Sequence, residues 1–167
     1  MRPITFTTAL ASALLCAACA SGAPTPKDPL MLDLAVRAAS TVNPDDRNRA
    51  APIVVRVYEL KTDGAFNAAD YFTLQDKDKT VLADDLVARE QFQLRPGEQR
   101  SIRRKADPAA SVLGIVAAYR DLPHSVWRAV YPLPPARDAA WYRVWSSKLK
   151  LTIDLDSNAI RMTEPGR

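Results

Sequence analysis

Leu149-Lys150-Leu151-Thr152-Ile153-Asp154-Leu155 alternates apolar and polar residues without a break, and Asp156-Ser157-Asn158 follows it as a turn before Ala159 to Thr163. A period of two is that of a half-buried strand, so the stretch reads as a β-hairpin. The same period recurs upstream. Leu32, Leu34 and Val36 share one face while Asp33 and Arg37 occupy the other, and Phe92 and Leu94 alternate with Gln91, Gln93 and Arg95. The turn Arg95-Pro96-Gly97-Glu98 then reverses the chain into Arg100 to Lys105. Ile53 to Leu60 (IVVRVYEL) is a β-branched run behind Pro52, and Val112 to Tyr119 is continuously apolar, as a central strand is. Val126 to Tyr131 follows the corner Asp121-Leu122-Pro123-His124. Seven or eight short strands with no helix between each pair predict a mainly β, two-sheet antiparallel sandwich rather than a parallel α/β sheet. One stretch departs from period two. Between Asp63 and Glu90 the pattern changes to Phe66, Ala69, Phe72 and then Leu82 and Leu86, with Asp and Lys interspersed, which predicts one or two short helices inserted at about 64–88. With no internal repeat and no second boundary, residues 30–167 read as one domain.

Composition narrows the chemistry. The 167 residues are 47% hydrophobic and 25% charged, enough for one domain with a sizeable core. Thirteen prolines against five glycines suit short, sharply ended segments and speak against glycine-cradled phosphate sites. Two cysteines and one histidine argue against a disulfide framework, a zinc cluster and most histidine-based catalysis. The net charge of +4 is 23 basic minus 19 acidic residues, too small and too mixed to point to nucleic acid.

The first nineteen residues read as an address. Met1-Arg2 supplies a positive start, Ile4 to Ala18 carries no charge, and Ala17-Ala18 precedes Cys19. The uncharged run is shorter than the roughly 20 apolar residues that span a bilayer. The small pair before a cysteine resembles a bacterial lipobox, in which Cys19 receives a diacylglycerol and an acyl chain and becomes the N-terminus after residues 1–18 are cleaved. Cys16 stands where an aliphatic residue is usual. The other reading is an ordinary signal peptide cleaved near Ala18 or Ala20. Ala20, rather than Asp, is similar to the outer-membrane sorting signal of enteric bacteria. Lipidation would leave the mature chain with no disulfide and no free thiol. Residues 20–29 (ASGAPTPKDP) read as a flexible tether of roughly 16 to 19 Å root-mean-square length.

Catalytic groups are scarce. His124 reads as a solvated or capping histidine, since no Gly-x-Ser-x-Gly elbow or thiol accompanies it. Asp45-Asp46 and Asp84-Asp85 lack the spacing of a calcium loop. The basic run Arg100, Arg103, Arg104, Lys105 reads as a solvated sheet edge guarded by charge, and Tyr119-Arg120-Asp121 as the end of a buried strand with a local charge pair. Trp127, Tyr131, Trp141, Tyr142 and Trp145 read as core packing between two sheets, with an exposed hot spot as the sharper alternative.

The lipobox, Asn43-Pro44, PIVVRVYELK (52–61), FNAADYFTL (66–74), RPGE (95–98) and VLGIVAAYRDLPHSVWR (112–128) occur in an order that resembles the TssJ lipoprotein family of bacterial type VI secretion systems. Cys16 and the tail Met162 to Arg167 depart from it. The resemblance implies a transthyretin-like sandwich with a helical segment, no cofactor and no metal. It implies a non-catalytic lipoprotein on the inner leaflet of the outer membrane, facing the periplasm. Its implied partners are the periplasmic C-terminal region of TssM and, through it, TssL. The loop between the first two strands, Ser40 to Ala51, is the implied TssM contact, with Asn43, Pro44, Asp45, Asp46, Arg47 and Arg49 as contact residues. Two alternatives differ in class. A lipid-anchored periplasmic enzyme predicts a cleft around Arg120, Asp121 and His124, and a ligand-binding sandwich predicts an open edge strand.

Overall fold

A computed structural model describes residues 28–135 and 147–166. The expected signal peptide, Cys16, Cys19, most of the tether, and Trp141, Tyr142 and Trp145 lie outside the described residues. Among the described residues eight strands form: β1 (Met31–Ala38), β2 (Ile53–Leu60), β3 (Leu86–Leu94), β4 (Gln99–Lys105), β5 (Val112–Ala117), β6 (Arg128–Pro132), β7 (Lys148–Leu155) and β8 (Ile160–Thr163). Between β2 and β3 stand α1 (Gly64–Ala68), α2 (Tyr71–Leu82) and a 3-10 turn, Ala83–Asp85. The strands make two four-stranded sheets, ordered β4-β1-β7-β8 and β3-β2-β5-β6.

The hairpin read from Leu149 onward is β7-β8, paired antiparallel from Thr152↔Thr163 to Leu155↔Ile160. One pairing departs from the all-antiparallel expectation. β1 and β7 run parallel, in register from Met31↔Lys148 to Ala38↔Leu155. Alternation reports which face of a strand is buried and carries no information about the direction of its neighbour. The helical insertion is also shorter than expected. It ends at Asp85, because Leu86 and Ala88 already pair with Leu60 and Glu59 across a bulge in β3.

Two cores explain the two kinds of strand pattern. Leu32, Leu34 and Val36 of β1 and Leu149, Leu151, Ile153 and Leu155 of β7 face Ile53, Val55, Val57, Leu113 and Ile115 of the other sheet. Strands of the first sheet alternate because only their inner face is buried. β2 and β5 are apolar on both faces because Tyr58, Leu60 and Val116 point outward into a second core with Phe66, Leu74 and Leu82 of the helices. Gly114 is the contact point. Its position lies under the Phe66 ring so closely that a Cβ there would sit 2.8 Å from the ring edge. Asp70 caps α2 by accepting from the Thr73 N–H at 2.9 Å. Arg128 of β6 donates to the carbonyls of Phe66 and Ala69 at 2.7 and 2.8 Å, answering the open C-terminal carbonyls of α1. Buried Asp78 accepts from Tyr58 at 3.1 Å and from Arg89, fastening α2 to β2 and β3.

The basic run of β4 is more than a guarded edge. β4 does lie at a sheet edge, and Arg103 is exposed on Asp33. Arg100 and Arg104, however, share the inner face with Ile102, opposite Val36 and Leu32 of β1. They reach over the open side of the sandwich to the facing sheet. Arg100 meets Glu90 at 2.8 Å and lies 4.6 Å from the centre of the Phe92 ring. Arg104 meets Glu59 at 2.8 Å.

Candidate functional site

The N-terminal segment and the loop after β1 lie at opposite ends of the sandwich. The N-terminal segment enters beside Leu30, whose carbonyl accepts from Ala106, and Met31, whose N–H donates to Ser147. The Asp107 N–H to Glu59 carboxylate bond, 2.8 Å, places the end of β2 at this same pole. The loop after β1 lies at the opposite pole, beside the turns at 95–98, 118–127 and 156–159. The Gly97 N–H bonds the carbonyl of Ala38 at the end of β1, the Asn43 N–H ties the loop to the Ser157 carbonyl, and the Ala51 N–H closes the loop on the Val42 carbonyl.

Within that loop the expected contact residues divide into scaffold and surface. Asn43 is buried and adopts φ 50°, a left-handed conformation that asparagine tolerates better than most residues. Its Nδ2 donates to the Pro52 carbonyl at 3.0 Å and its Oδ1 accepts from the Arg120 N–H at 2.8 Å. Pro44 is half-buried beside it. Asp45 accepts from the N–H groups of Arg47 and Arg49 at 3.0 and 2.9 Å, and its other oxygen takes the Arg49 Nε at 2.8 Å. The Arg49 side chain is the main reason the Asp45 carboxyl lies below its ordinary pKa, with the loop N–H groups and the Arg120 charge adding to it. Asp45 is therefore an ionised organiser of the loop. The exposed side chains are Asp46, Arg47, Asn48 and Arg49, and Asn48, at φ 57°, makes the tip.

Sequence reading missed Arg120 as a neighbour of this loop. Its N–H is held by Asn43, 77 positions away, while the charge of its exposed side chain helps to lower the Asp45 pKa. The local charge pair expected at Tyr119-Arg120-Asp121 does not form between neighbours. Asp121 instead meets His124 Nδ1 at 2.8 Å, in a 3-10 turn over Leu122–His124. Tyr119 is buried and donates its hydroxyl to the Asp156 carbonyl at 3.2 Å. The His124 side chain is 79% exposed. Arg120, Asp121 and His124 line no part of the open groove found between α2 and its sheet. Among the described residues no group of three or more His, Cys, Asp or Glu is placed to hold a metal, and no helix is long and apolar enough to cross a membrane.

Comparison with known proteins agrees with this architecture. The family described as type VI secretion lipoprotein (VasD, EvfM, TssJ) matches residues 30–158. The crystal structure of the lipoprotein TssJ1 from Pseudomonas aeruginosa is similar at 40% identity and TM-score 0.74, over 83% of this chain and 98% of that one. Serratia marcescens Lip, a membrane-bound component of the type VI secretion system, is similar at 30% identity and TM-score 0.72, over 83% and 99%. A chain of a type VI membrane complex is similar at 25% identity and TM-score 0.66, over 80% and 97%. No curated protein sequence matches. On the family match across both sheets and on these likenesses, the chain belongs to the TssJ family of type VI secretion lipoproteins.

Proposed function

We propose that the chain anchors the periplasmic part of TssM to the outer membrane, as a non-catalytic lipoprotein acylated on Cys19 and facing the periplasm. The observation that carries this reading is the polarity of the sandwich. The tether enters at one pole and the loop 40–51 sits at the other. The eight residues of β1 separate them by about 26 Å. A lipid anchor at the near pole would leave the far pole turned away from the membrane, where an inner-membrane partner would approach it. The likeness to a chain of a type VI membrane complex supports an assembly role, and TssL would join through TssM.

Within the loop, Asn43, Pro44 and Asp45 act as scaffold, and Asp46, Arg47 and Arg49 face the partner. Charges held on a rigid loop give register and association rate more than raw affinity. Co-purification with the TssM periplasmic region tests the reading. Charge reversal at Asp46 and Arg47 is expected to weaken binding about tenfold, and unchanged binding would remove the loop from the interface. Replacing Cys19 by serine is expected to release the chain from the membrane fraction. Retention there would remove the anchor.

A further inference from the structure

The groove between α2 and the outer face of β2, β3 and β5 has a volume of about 390 Å³, within the range of small-ligand sites. Its floor is aliphatic, formed by Val54, Val116 and Ala118. Its walls are not. Arg56 and Gln91 rise from the sheet, and Tyr71, Gln75 and Asp76 from α2.

These polar groups are ordered before any ligand arrives. Arg56 donates Nε to Gln91 Oε1 at 2.8 Å and Nη1 to the Leu74 carbonyl at 3.0 Å. That uses the Gln91 Oε1 and leaves its Nε2 able to donate. Gln75 donates to Asp76 Oδ1 at 3.2 Å, which leaves Gln75 Oε1 and Asp76 Oδ2 as acceptors. The Tyr71 ring is fixed by edge contacts to Trp127 and Phe72, both with centroids 5.5 Å apart. Phe72, 63% exposed, forms part of the same helix face as Gln75 and Asp76. The groove thus offers an aliphatic floor, an aromatic wall and both hydrogen-bond donors and acceptors.

Ligand classes can be separated on that chemistry. An anion would meet the Asp76 carboxylate in the same groove. An extended peptide that adds a strand gains affinity from a free strand edge, whereas this groove lies over a sheet face. A sugar ring matches both parts. Its C–H face suits the aromatic and aliphatic surfaces, and each hydroxyl both donates and accepts. We propose that the groove lined by Tyr71, Gln75, Asp76 and Gln91 binds a saccharide of one or two rings. No residue of the loop 40–51 lines the groove, so the proposal does not rest on TssM binding.

The test uses the full-length chain in a zwitterionic detergent, with chitobiose and maltose followed by saturation-transfer NMR and isolated cell-wall sacculi followed by co-sedimentation. At least one free sugar is expected to bind with a dissociation constant on the order of 1 mM. The double variant Gln75→Ala/Asp76→Ala, and separately Gln91→Leu, should bind about tenfold more weakly with the thermal midpoint unchanged. Retention of sacculi as well as free sugar identifies cell-wall glycan as the source, and free sugar alone identifies a soluble saccharide. No saturation transfer from either sugar, or equal binding by the variants, overturns the proposal. So does protection of the groove by an added peptide with no response to sugar.

Discussion

Arg104 on β4 and Glu59 on β2 form an ion pair between the two sheets, with Nη2 2.8 Å from Oε1 and the Glu59 side chain only 2% exposed. The Glu59 carboxylate also takes the Asp107 N–H at 2.8 Å, so the acid is well supplied. The base is not. Arg104 Nε and Nη2 make no hydrogen bond of good geometry, so the pair rests on charge. Removing one partner of such a pair strands the other, whereas replacing both by apolar groups restores balance. Glu59→Gln is expected to destabilise by about 2 kcal/mol in urea unfolding. The double variant Glu59→Gln/Arg104→Met, which keeps an acceptor for the Asp107 N–H, should recover most of the loss, and a double variant no better than the single would show that the pair itself is favourable.

Gly114 carries the helical insertion. Its missing Cβ is what lets the Phe66 ring lie on β5, and Phe66 is the fully buried residue of α1. Gly114→Ala should cost about 2 kcal/mol through overpacking. Trimming the ring with Phe66→Leu in the same chain should return part of it, as read by chemical denaturation.

Asp78 gives the insertion a dependence on pH. Burial opposes its ionisation, but bonds from Arg89, Tyr58 and the Lys79 N–H outweigh this and hold its pKa below the ordinary carboxylate value. Burial pushes the neighbouring Tyr58 hydroxyl up to about 12, so it stays a protonated donor at neutral pH. Because the folded pKa of Asp78 is depressed, its stabilisation is fully present above the unfolded value of about 3.9. It is lost as pH falls below that toward the folded value. Protection factors of the α2 amides, which correct for the intrinsic slowing of exchange in acid, should therefore fall below about pH 4 in the natural chain, and Asp78→Asn should flatten that dependence while lowering stability at pH 7.

Asn43 and Arg47 separate scaffold from surface in the loop. Asn43→Ala removes bonds to the Pro52 carbonyl and the Arg120 N–H, and should lower stability by about 1 to 2 kcal/mol. Arg47→Glu changes an exposed side chain and should leave thermal unfolding within about 0.5 kcal/mol of the natural chain. If both variants shift the melting midpoint equally, the division of roles is wrong.

Much of this architecture is written locally. The alternation of Leu149 to Leu155 and of Leu32 to Val36 states which face is buried, because a strand turns successive side chains to opposite sides. The unbroken apolar runs of β2 and β5 announce burial on both faces, and the change of period after Asp63 announces the helices that cover the second face. The cysteine arithmetic at residues 16 and 19 likewise needs no fold to suggest an anchor. What depended on tertiary structure were the relations between distant segments. The parallel partner of β1, the turn of Arg100 and Arg104 toward the facing sheet, the binding of Asn43 to Arg120 and the groove between Tyr71 and Gln91 each join residues far apart in sequence. Local pattern follows from the geometry of one strand or helix, whereas these contacts depend on which strands become neighbours. That choice is made by the free energy of the whole packed sandwich.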